Sequence, residues 1–292
     1  MAHADDGGAG AGMEGPREGM RPNGKTSIMN APHKSLALAC AAVLALSAPK
    51  ADAAFVTAFE DSIIQPGGPR TGGGGTTLVD YFFNAEGSGN GRNASFAVAD
   101  FSGLRLGISS LSQLGQLQLR LTEDNAGFTR PGPIAVYLST DTTTNIGLGT
   151  PLTFQAQNTP TGLGTQLNNA VGNQLGTFGF TATGSTGSGT VDTIDLTRGL
   201  SSLSMAAQTS LLTALDNGGT IRLVVASADP SGTVAATFAG INNTDPSFAT
   251  AGPALVATAA SSAVPEPSSL ILVGLGIAGM ASAARRRAAR VA

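Results

Sequence analysis

The chain has 292 residues, 40 of them glycine, and only 12% of its residues are charged, about half of the roughly 25% that is usual in globular proteins. All three lysines and both histidines lie within the first 50 residues, the single cysteine is Cys40, and tryptophan is absent. Between Ala54 and Val264 the sequence has 7 Arg against 13 Asp plus Glu, a formal net charge of −6, and it has no His, Lys or Cys. This stretch therefore excludes a Ser-His-Asp triad, His-ligated zinc, a thiol nucleophile, a disulfide and a Schiff-base lysine. Its acidity also excludes a nucleic-acid partner, which requires a basic surface.

The first 28 residues are polar and Gly-rich and contain Met13 and Met20. Secretory signal peptides seldom follow such a leader. We therefore expect translation to begin at Met20 or Met29, and we interpret residues 1–28 as a disordered leader or a misassigned start.

Residues 29–53 have the layout of a secretory signal peptide. A basic stretch precedes 11 apolar residues, Leu36–Leu46, and a small-residue site follows them. An apolar run of this length is typical of a signal peptide and is too short to span a bilayer; the alternative is a buried core helix. The positions that flank the predicted cleavage are Ala51, Ala53 and Ala54.

Residues 54–262 consist of short apolar runs separated by Gly, Asn, Asp and Pro, the pattern of an all-β sandwich or barrel. The run 117–121 alternates strictly between leucine and polar residues, which predicts a strand with one dry face. Phe96, Val98 and Phe101 are expected to point inward. The predicted strands cover residues 55–59, 76–83, 95–101, 117–121, 133–138, 175–183, 191–196, 220–226, 233–238 and 254–258.

One segment of the body breaks this pattern. Apolar residues recur there at steps of three or four, which predicts a helix from Ser201 or Ser202 to Leu215, with Gly218 as its stop. The residues of this apolar stripe are Leu200, Leu203, Ala207, Leu211 and Leu215. We expect them to pack on the core, as part of one short helix that crosses an end of the sandwich.

Carboxylates are the remaining chemistry-bearing side chains of the body. Those near predicted turns offer hard oxygen ligands to Ca²⁺; the alternative is that they are solvated turn residues. The candidate calcium ligands are Glu123, Asp124, Asp192 and Asp195. A glycosidase with two carboxylates is the one common hydrolase type that the composition leaves open, but Tyr81 and Tyr137 are the only tyrosines available for sugar stacking. We expect no enzymatic activity, and no cofactor other than Ca²⁺.

The C-terminal tail carries the most specific motif of the sequence. A proline-containing tetrapeptide precedes the apolar block Leu270–Ala284, which would form a helix of about 22 Å, short for a bilayer core of about 30 Å. The tetrapeptide consists of Val264, Pro265, Glu266 and Pro267. The basic cluster after the block consists of Arg285, Arg286 and Arg287. We predict a transmembrane helix whose arginine end lies in the cytoplasm; the alternative is an ordinary tail anchor.

Over residues 263–290 this arrangement resembles the PEP-CTERM sorting signal of Gram-negative bacteria. The resemblance implies an exosortase as partner, a membrane-embedded cysteine transpeptidase that cuts at the motif after the tail has entered the inner membrane. The protein would then be released or attached to the cell envelope. Tails of this kind are also labelled ice-binding-protein C-terminal domains, but the Thr-rich stretches of this body lack the fixed repeat of an ice-binding face.

The body is also similar to secreted jelly-roll modules that precede this signal in other bacterial proteins. The similarity rests on FFNAEGSGNG at 82–91 and on residues 218–240, and it implies a β-sandwich over 54–262. We interpret the chain as an exported, non-enzymatic surface or extracellular-matrix protein, associated with exopolysaccharide or biofilm. The alternative is a carbohydrate-binding or two-carboxylate carbohydrate-cleaving module that is exported by the same route.

Overall fold

The computed structural model describes residues 53–70, 80–91, 94–124, 126–155, 162–168, 170–182, 189–243, 251–260 and 274–280. The chain divides into two compact units, one formed by residues 48–266 and the other by residues 1–47 together with 267–292. In the first unit, strands dominate the described residues and helices are few and short. The expectation of a β-rich body is thereby confirmed.

Eleven strands occur among the described residues of the first unit. They are β1 (Ala53–Gln65), β2 (Gly68–Pro69), β3 (Phe82–Glu86), β4 (Phe96–Ser102), β5 (Leu114–Thr122), β6 (Gly132–Ser139), β7 (Gln174–Phe180), β8 (Val191–Asp195), β9 (Thr220–Ser227), β10 (Ala235–Ala239) and β11 (Ala254–Ala259). An α-helix, α1, covers Met205–Asn217. Short 3-10 helices lie at Ser88–Asn90, Leu111–Gln113, Ala126–Phe128, Gln166–Asn168, Ala170–Asn173 and Thr197–Ser202.

Nine of the ten predicted strands coincide with observed strands over most of their lengths. The exception is the run predicted at 76–83, of which only Phe82 and Phe83 belong to β3. Residues 76–79 lie outside the described residues, and Asp80 and Tyr81 form a turn and a bend before β3.

The long strand β1 joins two parts of one antiparallel sheet. The strands run in the order β7-β6-β9-β4-β1-β11-β5-β8, and β2 pairs with the end of β1. Residues 53–57 of β1 pair with β11 and residues 58–64 pair with β4, and a β-bulge between Ala58 and Glu60 lies at the start of the second stretch. A bulge bends its strand and increases the twist, so the two parts of the sheet share one core. Strands β3 and β10 form a separate two-stranded ribbon.

The two ends of this sheet approach each other, so that the sheet is nearly closed. A Cβ added to Gly176 on β7 would lie 3.5 Å from the carbonyl oxygen of Asp195 on β8. Gly199, in the 3-10 helix after β8, has no room for a side chain, because a Cβ there would overlap the Leu175 carbonyl of β7. Glycine is required at position 199 by this close approach.

The main core lies between the two parts of the sheet. Alternate residues of β5 enter it, as the strict alternation predicts, and Leu117, Leu119 and Leu121 are each 0% exposed. Phe180 of β7 contacts Phe238 of β10 edge to face, with ring centroids 5.5 Å apart. The facing strands contribute Phe83, Ala97, Ala99, Phe101, Ile134, Val136, Ile221, Leu223 and Val225.

A second hydrophobic cluster covers the opposite face of β4, β6 and β9. Phe101 faces the main core as expected, whereas Phe96 and Val98 point into this second cluster. The layer over them comes from residues 140–155 and 162–168, the covering segment, through Ile146, Leu152, Phe154, Leu163 and Leu167. The three strands are therefore buried on both faces, which explains why their sequences are apolar almost throughout.

Helix α1 begins later than the periodicity predicts. Ser204 is its N-cap, and its hydroxyl accepts a hydrogen bond from the Ala207 amide at 3.3 Å. Gly218 ends the helix with φ +83°, a conformation that favours glycine. The first turn of the predicted helix belongs instead to the 3-10 helix Thr197–Ser202. All five residues of the predicted stripe are buried in the main core, so the packing face is confirmed.

An arginine–aspartate pair is buried at the centre of the sheet. Asp100 on β4 and Arg222 on β9 are cross-strand partners, and each is 2% exposed. Arg222 Nε donates to Asp100 Oδ1 and Arg222 Nη2 to Asp100 Oδ2, both at 2.7 Å. This bidentate geometry satisfies both carboxylate oxygens, as the burial of an ion pair requires.

The same guanidinium also holds the start of the covering segment. Arg222 Nη1 donates to the carbonyl oxygens of Asp141 at 3.0 Å and of Thr144 at 2.8 Å. The Asp141 carboxylate accepts hydrogen bonds from the hydroxyl groups and the amides of Thr144 and Thr143. Burial opposes its ionisation, but these bonds outweigh burial and lower the pKa of Asp141 to about 2. One arginine thus connects β4, β9 and the covering segment.

Replacing Arg222 by methionine would leave the Asp100 carboxylate buried without its partner. We expect Arg222→Met to lower the free energy of unfolding by about 3–5 kcal/mol. The double variant Asp100→Leu/Arg222→Met removes both charges and should recover most of that loss. Denaturant titration measures the free energy of unfolding of both variants. The control is Arg198→Met, at an exposed arginine, which should change that free energy by less than about 0.5 kcal/mol. Equal losses in the single and double variants would contradict this account.

Candidate functional site

The sorting segment predicted at the C-terminus lies mostly outside the described residues. The tetrapeptide at 264–267 and the arginines at 285–287 are not among the described residues. Residues 274–280, inside the predicted transmembrane helix, are helical, and Leu275, Ile277 and Met280 are 66%, 60% and 69% exposed. This stretch therefore presents apolar side chains on its surface. Among the described residues, no helix is both long enough and apolar enough to cross a membrane.

The predicted signal peptide, residues 29–53, lies outside the described residues except for Ala53. Ala53 and Ala54 begin β1, where they pair with Thr258 and Ala257 of β11. Cleavage before Ala54 would leave the bulge of β1 and its pairing with β4 in the mature protein. The cleavage site stays a prediction.

Two of the four candidate calcium ligands come together where β5 ends beside β8. The carboxyl groups of Glu123 and Asp192 are hydrogen-bonded to each other, and Glu123 is 2% exposed. The pKa of Asp192 is raised to about 6, chiefly by burial and then by the charge of Glu123 and the hydrogen bond with Glu123. Two carboxyl groups in contact share a proton, because ionising both creates repulsion. Asp192 therefore holds its proton well above the pH at which an ordinary carboxyl group releases it.

The other two candidate ligands lie apart from this pair. The Asp124 carboxylate accepts a hydrogen bond from the Asn243 side-chain amide at 2.6 Å. Asp195 points to the opposite face of β8 from Asp192, and hydrogen bonds from the Thr197 hydroxyl and amide lower the pKa of Asp195. In the part of the chain that the structure describes, no group of three or more Asp, Glu, His or Cys side chains could hold a metal ion. Calcium binding by the four predicted residues stays a prediction, and the fold gathers only two of them.

Sequence reasoning missed a second acid pair. Asp61 of β1 is 0% exposed, and its Oδ2 accepts a hydrogen bond from the Ile241 amide at 3.0 Å. Asp80, just before β3, accepts a hydrogen bond from the Asn242 side-chain amide. Simple alternation from Phe55 would put Asp61 on the exposed face of β1. The bulge reverses the alternation, so Asp61 lies opposite Ala99 on the core side.

The outer face of β1, β11, β5 and β8 forms an open surface of mixed polarity. Phe55 is 58% exposed there. Pairing across the four strands aligns two rows of residues. The first row is Phe55, Val256, Gln118 and Asp195, and the second row is Thr57, Ala254, Arg120 and Thr193. A cleft of about 280 Å³ opens on this face and is lined by Phe55, Arg120, Thr122 and Val191 together with residues 189, 251, 252 and 254. An exposed phenyl ring thus lies beside guanidinium and hydroxyl donors.

Residues 263–287 match the PEP-CTERM protein-sorting motif. The match implies an exported protein that an exosortase sorts at the membrane. It confirms the resemblance of the tail, and it includes the tetrapeptide, the apolar block and the arginine cluster. No curated protein matches the chain.

The raised pKa of Asp192 makes stability depend on pH. An unfolded chain releases this proton near pH 4, whereas the folded protein holds it to about pH 6. Between these values the folded state binds more protons, so the contribution of Asp192 to the free energy of unfolding falls as the pH rises. We expect Asp192→Asn to remove this slope and to raise stability at pH 7 by about 1 kcal/mol, a value reduced for solvent screening.

The matched control is Asp195→Asn on the same strand, where a lowered pKa predicts the opposite sign. The Asp195 carboxylate stabilises the fold when the pH is above its pKa in the unfolded chain, and this contribution is lost as the pH falls. Asp195→Asn should therefore be less stable than the wild type at pH 7. Thermal unfolding between pH 4 and pH 8 compares the two variants. Parallel pH profiles for wild type and Asp192→Asn would refute the role assigned to Asp192.

Proposed function

We propose that the chain is a non-enzymatic protein of the cell envelope or extracellular matrix, which an exosortase processes and which associates with exopolysaccharide. The observation that carries this proposal is the sorting motif at 263–287. The apolar helix that follows the tetrapeptide anchors the precursor transiently in the inner membrane, and the arginines at 285–287 keep its end in the cytoplasm. Proline disfavours a helix, so we expect the tetrapeptide to be extended outside the membrane and accessible to the enzyme.

The chemistry of the body supports a non-enzymatic role. Residues 54–262 contain no His, Lys or Cys. Glycosidases hold their two carboxyl groups about 5–9.5 Å apart across an open cleft. Glu123 and Asp192, by contrast, are in direct hydrogen-bond contact, and Glu123 is buried. This acid pair suits a structural role better than the cleavage of a sugar chain.

We further propose that the body is a β-sandwich of the jelly-roll type. Support comes from the bulge of β1, since strands commonly change sheets through a bulge at the corner of a sandwich. The two sequence motifs that suggested the module also lie together. Strand β3 pairs with β10, with Phe83 opposite Phe238, and the backbone at Gly87 and Gly89 packs so tightly on Gly232 that a side chain at either would overlap it.

A second candidate function is carbohydrate binding, which the cleft beside Phe55 favours. Sugars present an apolar face that stacks on an aromatic ring and hydroxyl groups that pair with fixed polar side chains. Phe55 offers the ring, and Arg120 and Thr122 offer hydrogen-bond donors in the same cleft. This function is compatible with the first, because a matrix protein that binds exopolysaccharide would use such a surface.

Processing of the tail depends on the tetrapeptide if the proposal is right. We expect Glu266→Ala, or deletion of residues 264–267, to leave a membrane-retained precursor that still carries residues 268–292. Immunoblots of membrane and released fractions, in hosts with and without the exosortase, measure size and location. Ser268→Ala, next to the tetrapeptide, is the control and should be processed normally. Identical size and fractionation of all forms in both hosts would leave only the tail-anchor interpretation.

Carbohydrate binding makes a separate prediction about Phe55. We expect Phe55→Ala to weaken binding to the host exopolysaccharide by about tenfold, equivalent to about 1.4 kcal/mol, because the stacking ring is lost. Phe59→Ala is the matched control, since Phe59 is 52% exposed on the same strand but does not line the cleft. Glycan arrays and polysaccharide pull-down measure both variants. Equal binding by the two variants would eliminate this cleft as the site.

A further inference from the structure

The acid pair Asp61 and Asp80 lies where β1 meets the end of the β3–β10 ribbon. Asp61 Oδ2 accepts a hydrogen bond from the Ile241 amide at 3.0 Å. Asp80 Oδ2 accepts one from the Asn242 side-chain amide at 2.5 Å, and its backbone carbonyl accepts one from the Asn242 amide at 3.1 Å. Asp61 and Asp80, which come from different parts of the chain, therefore bind the consecutive residues Ile241 and Asn242 after β10.

Each of these carboxyl groups has one oxygen that is buried and unused. Asp61 is 0% exposed, and among the described residues neither its Oδ1 nor Oδ1 of Asp80 has a hydrogen-bond partner. The charged groups that act on Asp61 are Asp80 and Glu60, both acidic. Burial first, and then these two charges, raise the pKa of Asp61 well above its usual value. Burying an ionised carboxylate in this way makes the free energy of folding less favourable by several kcal/mol unless a positive charge compensates it.

We propose that Asp61 Oδ1 and Asp80 Oδ1 bind a Ca²⁺ ion, which ties β1 to the ribbon. Two carboxylates match the charge of the ion, and Ca²⁺ completes its six to eight oxygen ligands with carbonyl groups and water in flexible geometry. The ligand set contains oxygen alone, which favours a hard cation over zinc or copper. The site is distinct from the four ligands predicted from the sequence, and the proposal is independent of glycan binding. Its affinity belongs in the range of extracellular modules, with Kd about 10⁻⁴–10⁻³ M.

The two tyrosines and the absence of tryptophan give a direct probe of this site. Tyr81 follows Asp80 in the chain, whereas Tyr137 lies in the second hydrophobic cluster on β6. Tb³⁺ takes calcium sites, and a nearby tyrosine sensitises its emission. We expect the full chain in detergent to show tyrosine-excited Tb³⁺ emission that Ca²⁺ displaces. Tyr81→Phe should remove the emission and leave the Ca²⁺ affinity measured by calorimetry unchanged.

Asp61→Asn tests the ligand without removing the hydrogen bond to Ile241, because the asparagine oxygen still accepts from that amide. We expect its Ca²⁺ affinity to fall by about tenfold or more. At about 10 mM Ca²⁺ the melting temperature of the wild type should rise by about 3–6 °C, while that of Asp61→Asn should not respond. Without Ca²⁺ the variant should be at least as stable as the wild type, because it buries no charge. Asp216→Asn, at an exposed acid of α1, is the control and should respond to Ca²⁺ as the wild type does.

Three results would overturn the proposal. The first is a calcium response of Asp61→Asn equal to that of the wild type. The second is a response that Asp192→Asn abolishes and Asp61→Asn does not, which would place the ion at Glu123 and Asp192. The third is a wild type that ignores Ca²⁺ and is stabilised only by acid, which would make Asp61 and Asp80 a pair that shares a proton.

Discussion

One buried ion pair, Asp100 with Arg222, connects separate parts of the body. Arg222 uses two nitrogens for Asp100 and a third for the carbonyl oxygens of Asp141 and Thr144. It therefore joins β4 to β9 and fixes the start of the covering segment, which buries the second hydrophobic cluster. A guanidinium suits this task because its planar donors reach several acceptors at once without deprotonation. The second cluster can stay dry only while this segment is held in place.

This arrangement suits an exported protein whose body contains no cysteine. Two hydrophobic layers bury β4, β6 and β9 on both faces, and a 3-10 helix bridges the near-closed ends of the sheet at Gly199. The sorting motif is a separate segment in sequence, at 263–287. The chain thus combines a β-rich body with a short tail whose motif concerns sorting.

The parts of the fold that depend on local periodicity could be predicted from the sequence. The alternation of β5 and the apolar stripe of α1 each assign their buried residues correctly, and the tail motif was recognisable from its own residues. Features that depend on distant contacts could not be predicted. Asp100 and Arg222 are 122 positions apart, and nothing local pairs them. The bulge of β1 reversed the face of Asp61, and the contact between Glu123 and Asp192 required knowledge that β5 pairs with β8.

The central claim is that an exosortase delivers this body by removing its tail. The most direct test is the intact mass of the exported protein, purified from hosts with and without the enzyme. With the exosortase present, the account predicts a polypeptide that begins at Ala54 and ends within residues 264–267, plus any group attached there. Without the exosortase the same preparation should extend to Ala292. A mass that includes residues 268–292 in both hosts would contradict the claim.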